Sequence, residues 1–342
     1  MAISRNDLKG SAVRLLKVAV TISLLGFLSS KVDWAVFAAI WSTVNPAWIL
    51  AALMVGGSAQ FVSSVRWWYL LKVQTIDIAL ASAFSLILIS QFFNLFMPGA
   101  VGGDVIKTIY AVRYAPSKKT YVALSVLMDR LVGIVVMAIG ALISIVAQLS
   151  NLSASSELMG ISYWLLAMLG AVVFGVGLLA LTPPDFFRRV CPSLWERIPN
   201  RHIIELLIKG FHQHGRALKD SLLAGAYGIV TYILVCAVGI LLGLAMDLQL
   251  DSLSLVLILT IAIFVATVPI SIGGHGVREG AFVVLFGLFG KTSGQGVGIG
   301  KEQAIVYSVL FFLAFAVWGI LGGWLYIAKS PKASPGECDV DG

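Results

Sequence analysis

The sequence predicts an all-α polytopic membrane protein with six full transmembrane helices and two oppositely oriented re-entrant helical hairpins, arranged as an inverted repeat. Three observations carry the prediction. Of 342 residues, 59% are hydrophobic and 12% charged, and mean hydropathy is +0.95, whereas soluble domains run at about 45–50% apolar and about 25% charged. Two apolar regions are interrupted by one shared Pro/Gly-Gly pattern. Lys and Arg fall almost wholly in segments that this topology gathers on one side of the bilayer. A chain this apolar cannot hide its surface in an aqueous globule. Its 34 Gly and 10 Pro suit membrane helices, which tolerate both. The net charge of +7 then belongs to loops beside anionic lipid rather than to a nucleic-acid surface.

A hydrocarbon core of about 30 Å needs about 20 helical residues. Six stretches meet that length: 11–30, 47–65, 121–149, 160–181, 221–246 and 303–328. Arg5, Lys9, Arg14 and Lys17 precede the apolar run from Val18 to Leu28 in the manner of a signal peptide, but no small-x-small cleavage pattern follows promptly, so an uncleaved span is expected. Regions 80–120 and 252–290 are broken in their middle, and backbone freed at membrane depth is tolerated only where protein or a wet cavity covers it. Each therefore reads as a re-entrant hairpin.

Repeat one is 1–150 and repeat two 151–329, each in the order span, span, hairpin, span; 330–342 is a short polar tail expected to be disordered. Three full crossings per half are odd, so the second half is inverted and the hairpins enter from opposite faces. Within the inner loop 182–220, Ile203, Ile204, Leu207, Ile208, Phe211 and Leu218 share one arc, opposite Arg201, Glu205, Lys209, Arg216 and Lys219. This predicts an interfacial helix, with a solvated partner-binding helix as the alternative.

With the N-terminus inside, 19 of the 24 Lys and Arg lie on inner segments, against Lys31, Lys291 and Lys301 outside and Arg130 and Arg278 within apolar regions. A full crossing by either hairpin would turn later loops around, the basic 182–220 loop among them, against the positive-inside rule. The expected location is the cell's inner (plasma) membrane, multi-pass, with both termini cytoplasmic.

The two breaks read Pro98-Gly99-Ala100-Val101-Gly102-Gly103-Asp104 and Pro269-Ile270-Ser271-Ile272-Gly273-Gly274-His275. Pro98, Gly102, Gly103, Pro269, Gly273 and Gly274 shape the hairpins, and short Gly/Pro-interrupted segments at corresponding places in two halves point to a binding site near the midplane. Helix packing is the rival reading of such glycines. Against it stand Asp104, Lys107, Asp129, Arg130, Arg278 and Glu279, because an ionisable side chain at mid-bilayer costs at least about 2.5–3.5 kcal/mol on insertion scales. Three acids and three bases suggest mutual pairing. Asp104 and Lys107, three apart, share a helix face, while the adjacent pairs Asp129/Arg130 and Arg278/Glu279 are expected to find partners elsewhere. A purely structural ion-pair network is the alternative.

Helices restarting near Gly103 and Val277 would aim free N–H groups and a positive dipole end at the membrane middle. Gln91, Asn94, Thr267 and Ser271 can add neutral hydrogen bonds, and the combination suits an amphiphile with an anionic head. His275 lies in the second break, as a titrating group or as a satisfied structural one. His202, His212 and His214 match no ligand spacing, Cys191, Cys236 and Cys338 no disulfide or metal pattern, and no metal or cofactor is expected. Trp34, Trp41, Trp67, Trp68 and Tyr69 read as interfacial anchors. Arg66 reads as a snorkelling cation, with a headgroup role as the weaker alternative.

Phe92 to Arg113 (FFNLFMPGAVGGDVIKTIYAVR), Asp129 to Gly133 (DRLVG) and Pro269 to Gly280 (PISIGGHGVREG) resemble the signature blocks of the lysylphosphatidylglycerol synthase transmembrane region family, also called flippase-like proteins, over roughly Leu15 to Ala328. In bifunctional members this region is linked to lipid flipping, and a separate soluble domain transfers lysine to phosphatidylglycerol; other relatives are associated with hopanoid or glycolipid handling. The sequence ends about a dozen residues after the last predicted span, so no such domain is expected here. Lys107 stands where the pattern usually has arginine, which puts bidentate phosphate recognition there in question. The resemblance implies translocation of an amphiphile with an anionic head, of phospholipid, hopanoid or glycolipid type, by a protein that is not an enzyme. A membrane-embedded lipid-modifying transferase and a scaffold for a soluble lipid synthase are the alternatives. Expected partners are membrane lipids and a soluble lipid-synthesis enzyme, with a homo-oligomer left open.

Overall fold

The computed structural model describes residues 35, 39, 42–95, 102–148, 156–181, 217–267, 277–292 and 301–328. Nine α-helices are bounded within them, with no strand: α1 (Pro46–Val73), α2 (Leu80–Asn94), α3 (Gly102–Val112), α4 (Lys119–Ala147), α5 (Ser156–Leu181), α6 (Leu218–Ala245), α7 (Ser252–Thr267), α8 (Val277–Thr292) and α9 (Lys301–Ala328). The predicted span 11–30, the inner amphipathic segment up to 216, the tail 330–342, and Pro98, Pro269, Ser271, Gly273, Gly274 and His275 lie outside the described residues.

Helices α1, α4, α5, α6 and α9 fall on five predicted spans. Those within Pro46–Val73, Pro116–Ala147, Lys219–Ala245 and Gln303–Ala328 are long and apolar enough to cross a membrane. Pro46 opens α1, where its fixed φ and missing N–H cost nothing, and the Asn45 side chain accepts from Ala47 N at 3.0 Å. The helix ends at Val73, several residues past the predicted edge. Beyond it Thr75 takes φ 56°, in the left-handed region. Lys118 Nζ donates to both the Thr75 carbonyl (2.8 Å) and its hydroxyl (2.6 Å), clamping the α1–α2 turn to the α3–α4 turn.

The four remaining helices are short. α2 has 15 residues, α3 11, and α7 and α8 16 each, all below the roughly 20 a crossing needs. α2 packs on α3, and α7 on α8.

Packing follows a pairwise rule. α1 lies against α6, antiparallel, with Asn45 N bonded to Ala245 O at 3.1 Å. Contacts of α1 to α4 recur among the corresponding helices α6 to α9: α2 on α9 matches α7 on α4, and α3 on α4 matches α8 on α9. The α2–α9 contact is backbone to backbone, since a Cβ at Gly322 would stand 1.9 Å from Leu88 O. Small residues permit this approach where lipid supplies no hydrophobic driving force between helices.

The interior is mostly apolar, but it also holds ions, and large apolar side chains face outward. Phe174, Trp324 and Val146 are exposed, while Lys107, Asp129 and Arg66 are buried. Apolar outside and ionic inside is the distribution expected when the solvent is lipid.

Candidate functional site

The ionic residues form two clusters. In the first, Asp129 on α4 receives Arg66 Nε from α1 at 2.7 Å and Lys107 Nζ from α3 at 3.0 Å. Lys107 also lies 3.8 Å from Asp104, one helical turn away, and Arg130 bonds Asp104. One acid therefore joins α1 to α3, and a second joins α3 to α4. The shared helix face of Asp104 and Lys107 and the outside partners of Asp129 and Arg130 are as the sequence indicated.

Arg66 is a correction. The apolar run stops at its first charge, but α1 continues for seven more residues, which carries Arg66 below the helix end and into the bundle. Its side chain is 11% exposed and ion-paired instead of snorkelling. Trp67 is likewise no interfacial anchor: it is fully buried, donates from Nε1 to Ser125 Oγ at 3.2 Å, and has Lys107 Nζ 4.6 Å above its ring. A buried cation between a carboxylate and an aromatic face is held from both sides.

In the second cluster Arg278, near the start of α8, donates from Nε to Ser308 Oγ (3.1 Å) and from Nη2 to Glu279 Oε1 (2.8 Å). Ser308 also reaches Glu279 Oε1 at 3.2 Å. The expectation that Arg278 and Glu279 pair only elsewhere is thus corrected, because Ser308 on α9 gives both side chains a common meeting point. The Arg278 guanidinium lies 5.4 Å from the Phe312 ring.

Arg278 also lines a cavity of about 310 Å³. Its polar wall is Gln60 of α1, Gln91 and Asn94 of α2, and Arg278 of α8; Phe311, Phe312 and Phe315 of α9 form the apolar side. Asn94 Oδ1 accepts from Gly103 N at 2.8 Å, which leaves its NH2 group to face other partners. That bond crosses the first break, where α3 restarts at Gly102. A Cβ on Gly103 would lie 2.2 Å from Ser90 O, so glycine is required there. α8 restarts at Val277, where the sequence placed it.

Of the predicted residues, Gln91, Asn94 and Arg278 meet at the cavity, with Glu279 beside it. Asp104, Lys107, Asp129 and Arg130 form the separate network, and Lys107, with a 2% exposed side chain, is not among the cavity-lining residues. Sequence reasoning missed Gln60, Ser308 and the phenylalanines. Gln60, a lone carboxamide in an apolar span, was the available signal; the others lie among ordinary apolar helix residues.

The cavity joins one guanidinium and three carboxamides to aromatic walls. A guanidinium carries five N–H donors, so Ser308 and Glu279 leave capacity for an anionic oxygen. The family model described as "Lysylphosphatidylglycerol synthase TM region" matches residues 14–323. No curated protein and no solved structure matches the chain.

Proposed function

Because the chain belongs to the lysylphosphatidylglycerol synthase TM region family, we propose that it translocates an amphiphile with an anionic head across the membrane, the head passing through the Arg278 cavity. The observation that carries this reading is the cavity's composition, one cation and three carboxamides against three phenylalanines. A charged head needs the former and the first methylenes of its chains need the latter. The substrate class is phospholipid, hopanoid or glycolipid, and the chain performs no covalent step on it.

Two re-entrant hairpins in an inverted repeat supply the framework, α2–α3 entering from one face and α7–α8 from the other. This is supported by the short lengths of those helices, by the matched packing of the two halves and by the antiparallel contact of α1 with α6. Residues of α1, α2, α6, α7, α8 and α9 all reach the cavity, so it takes lining from both halves. With both termini cytoplasmic in an inner membrane, the basic inner loop remains available to a soluble lipid-synthesis enzyme.

Native mass spectrometry of the purified protein tests the site. Anionic lipid should copurify with the wild type and be depleted about tenfold in Arg278→Gln protein that remains folded and monodisperse on size exclusion. Equal lipid occupancy in the two proteins would remove Arg278 from the head site.

A further inference from the structure

We propose that Arg66 heads a second ligand site, separate from the Arg278 cavity, for a small inorganic monoanion of the chloride class. Charge counting leads to it. Among the described residues the first cluster holds three cations, Arg66, Lys107 and Arg130, and two anions, Asp104 and Asp129. Arg130 pairs with Asp104, and the two oxygens of Asp129 are divided between Arg66 and Lys107. The surplus positive charge therefore rests on the Arg66–Lys107 pair.

Of those two cations, Arg66 borders a described cavity. Lys107 lines neither cavity described here, whereas Arg66 borders a partly open one of about 140 Å³ lined by α1, α4, α6 and α7. Arg66 Nε is taken by Asp129 and Nη2 reaches Ser63 Oγ at 3.4 Å. Nη1 lies toward Gly133, where a Cβ would sit 3.9 Å from it, so glycine keeps that edge of the guanidinium uncovered. Thr231, Tyr232, Cys236 and Thr260 complete the polar lining. Thr260 Oγ1 donates to Val256 O at 2.7 Å, so the 2.7 Å bond between the Tyr232 and Thr260 hydroxyls is donated by Tyr232, and an entering anion would compete with these acceptors for the two protons.

Size selects the ligand. The cavity has less than half the volume of the Arg278 cavity and is close to an engineered cavity of about 150 Å³ that holds one benzene. A halide with a few waters fills it, whereas a lipid head with its glycerol would have to protrude from it. Val235 and Ile263 line both cavities and form an apolar wall between them. The bound anion would neutralise the surplus charge where lipid supplies no counter-ion, and this inference does not depend on the transport reading.

The test is thermal melting and calorimetry of the full chain in detergent, with bromide replacing gluconate at constant ionic strength. Bromide should raise the melting temperature saturably. Gly133→Val, which fills the cavity beside Nη1 without altering charge, should weaken bromide affinity at least tenfold, with Gly133→Ala intermediate should the valine variant fail to fold. Arg278→Gln should bind bromide as the wild type does. Identical melting in bromide and gluconate, or an unaltered bromide response in both Gly133 variants, would overturn the proposal. So would competitive displacement of bromide by dioctanoyl phosphatidic acid in Arg278→Gln protein, which would give the cavity to a lipid phosphate.

Discussion

Replacing Asp129 with Asn removes the one carboxylate that two buried cations share. The side chain is 8% exposed, and Arg66 and Lys107 approach it at 2.7 and 3.0 Å with side-chain exposures of 11% and 2%. Three outcomes can be separated by size. A surface ion pair is worth about 0–1 kcal/mol, and a hydrogen bond between membrane helices averages about 0.6 kcal/mol. Breaking a buried pair by removing one partner costs about 3–5 kcal/mol, because the remaining charge is left uncompensated. Here one deletion strands two cations, although Lys107 keeps Asp104 at 3.8 Å and the Trp67 ring at 4.6 Å. The upper part of that range is therefore expected to come from Arg66. Equilibrium unfolding in mixed micelles measures it, and Asp129→Asn/Arg66→Gln should recover at least half the loss. A single-variant loss below about 1 kcal/mol, or a double variant worse than the sum of the singles, would refute the shared-carboxylate account.

Further variants probe other parts of the structure. Gly103→Ala places a methyl 2.2 Å from Ser90 O and 2.6 Å from Asn94 Oδ1; the α2–α3 crossing should loosen by about 1–3 kcal/mol, read as a lower unfolding midpoint. Trp67→Phe keeps most of the buried ring but gives up the bond to Ser125, so stability should fall by about 0.5–1.5 kcal/mol, and a wild-type midpoint would argue against that bond. Gly322→Leu collides with the α2 backbone at Leu88 and should abolish folded protein on size exclusion, whereas Gly170→Leu on α5, where a Cβ meets nothing within 4 Å, should be tolerated.

Much of this architecture was legible in the sequence because lipid makes so few demands. Length and apolarity alone located the five described long helices, and Pro and paired Gly marked where α3 and α8 restart. The charged candidates were legible because an ion inside an apolar region calls for a partner, and Asp129 finds two. What was not legible is three-dimensional. Arg66 looked like the end of a span because an apolar run ends at its first charge; only the continuation of α1 to Val73 and the arrival of Asp129 from α4 make it a core residue. Ser308 carries no pattern in α9, yet it lets the neighbouring side chains of Arg278 and Glu279 share one partner. The phenylalanines of the cavity wall resemble any lipid-facing aromatics until α2 and α8 close over them.

The equivalence of the two breaks also shows its limits. Counting from Pro98 and from Pro269, Lys107 and Arg278 occupy the same place, nine residues on. Lys107 is sealed under Asp129 and Trp67, while Arg278 opens onto the larger cavity. On α3 that cation is a fastener, and on α8 it faces a ligand-sized space.

The most direct test of translocation is a dithionite-quench assay on vesicles reconstituted with the pure chain and a headgroup-labelled anionic phospholipid. On this account dithionite should quench only the outer-leaflet fraction in empty vesicles, a larger fraction with the wild type, which brings inner-leaflet lipid out, and the empty-vesicle fraction again with Arg278→Gln. Wild-type vesicles indistinguishable from empty ones, with every labelled lipid class tried, would contradict it.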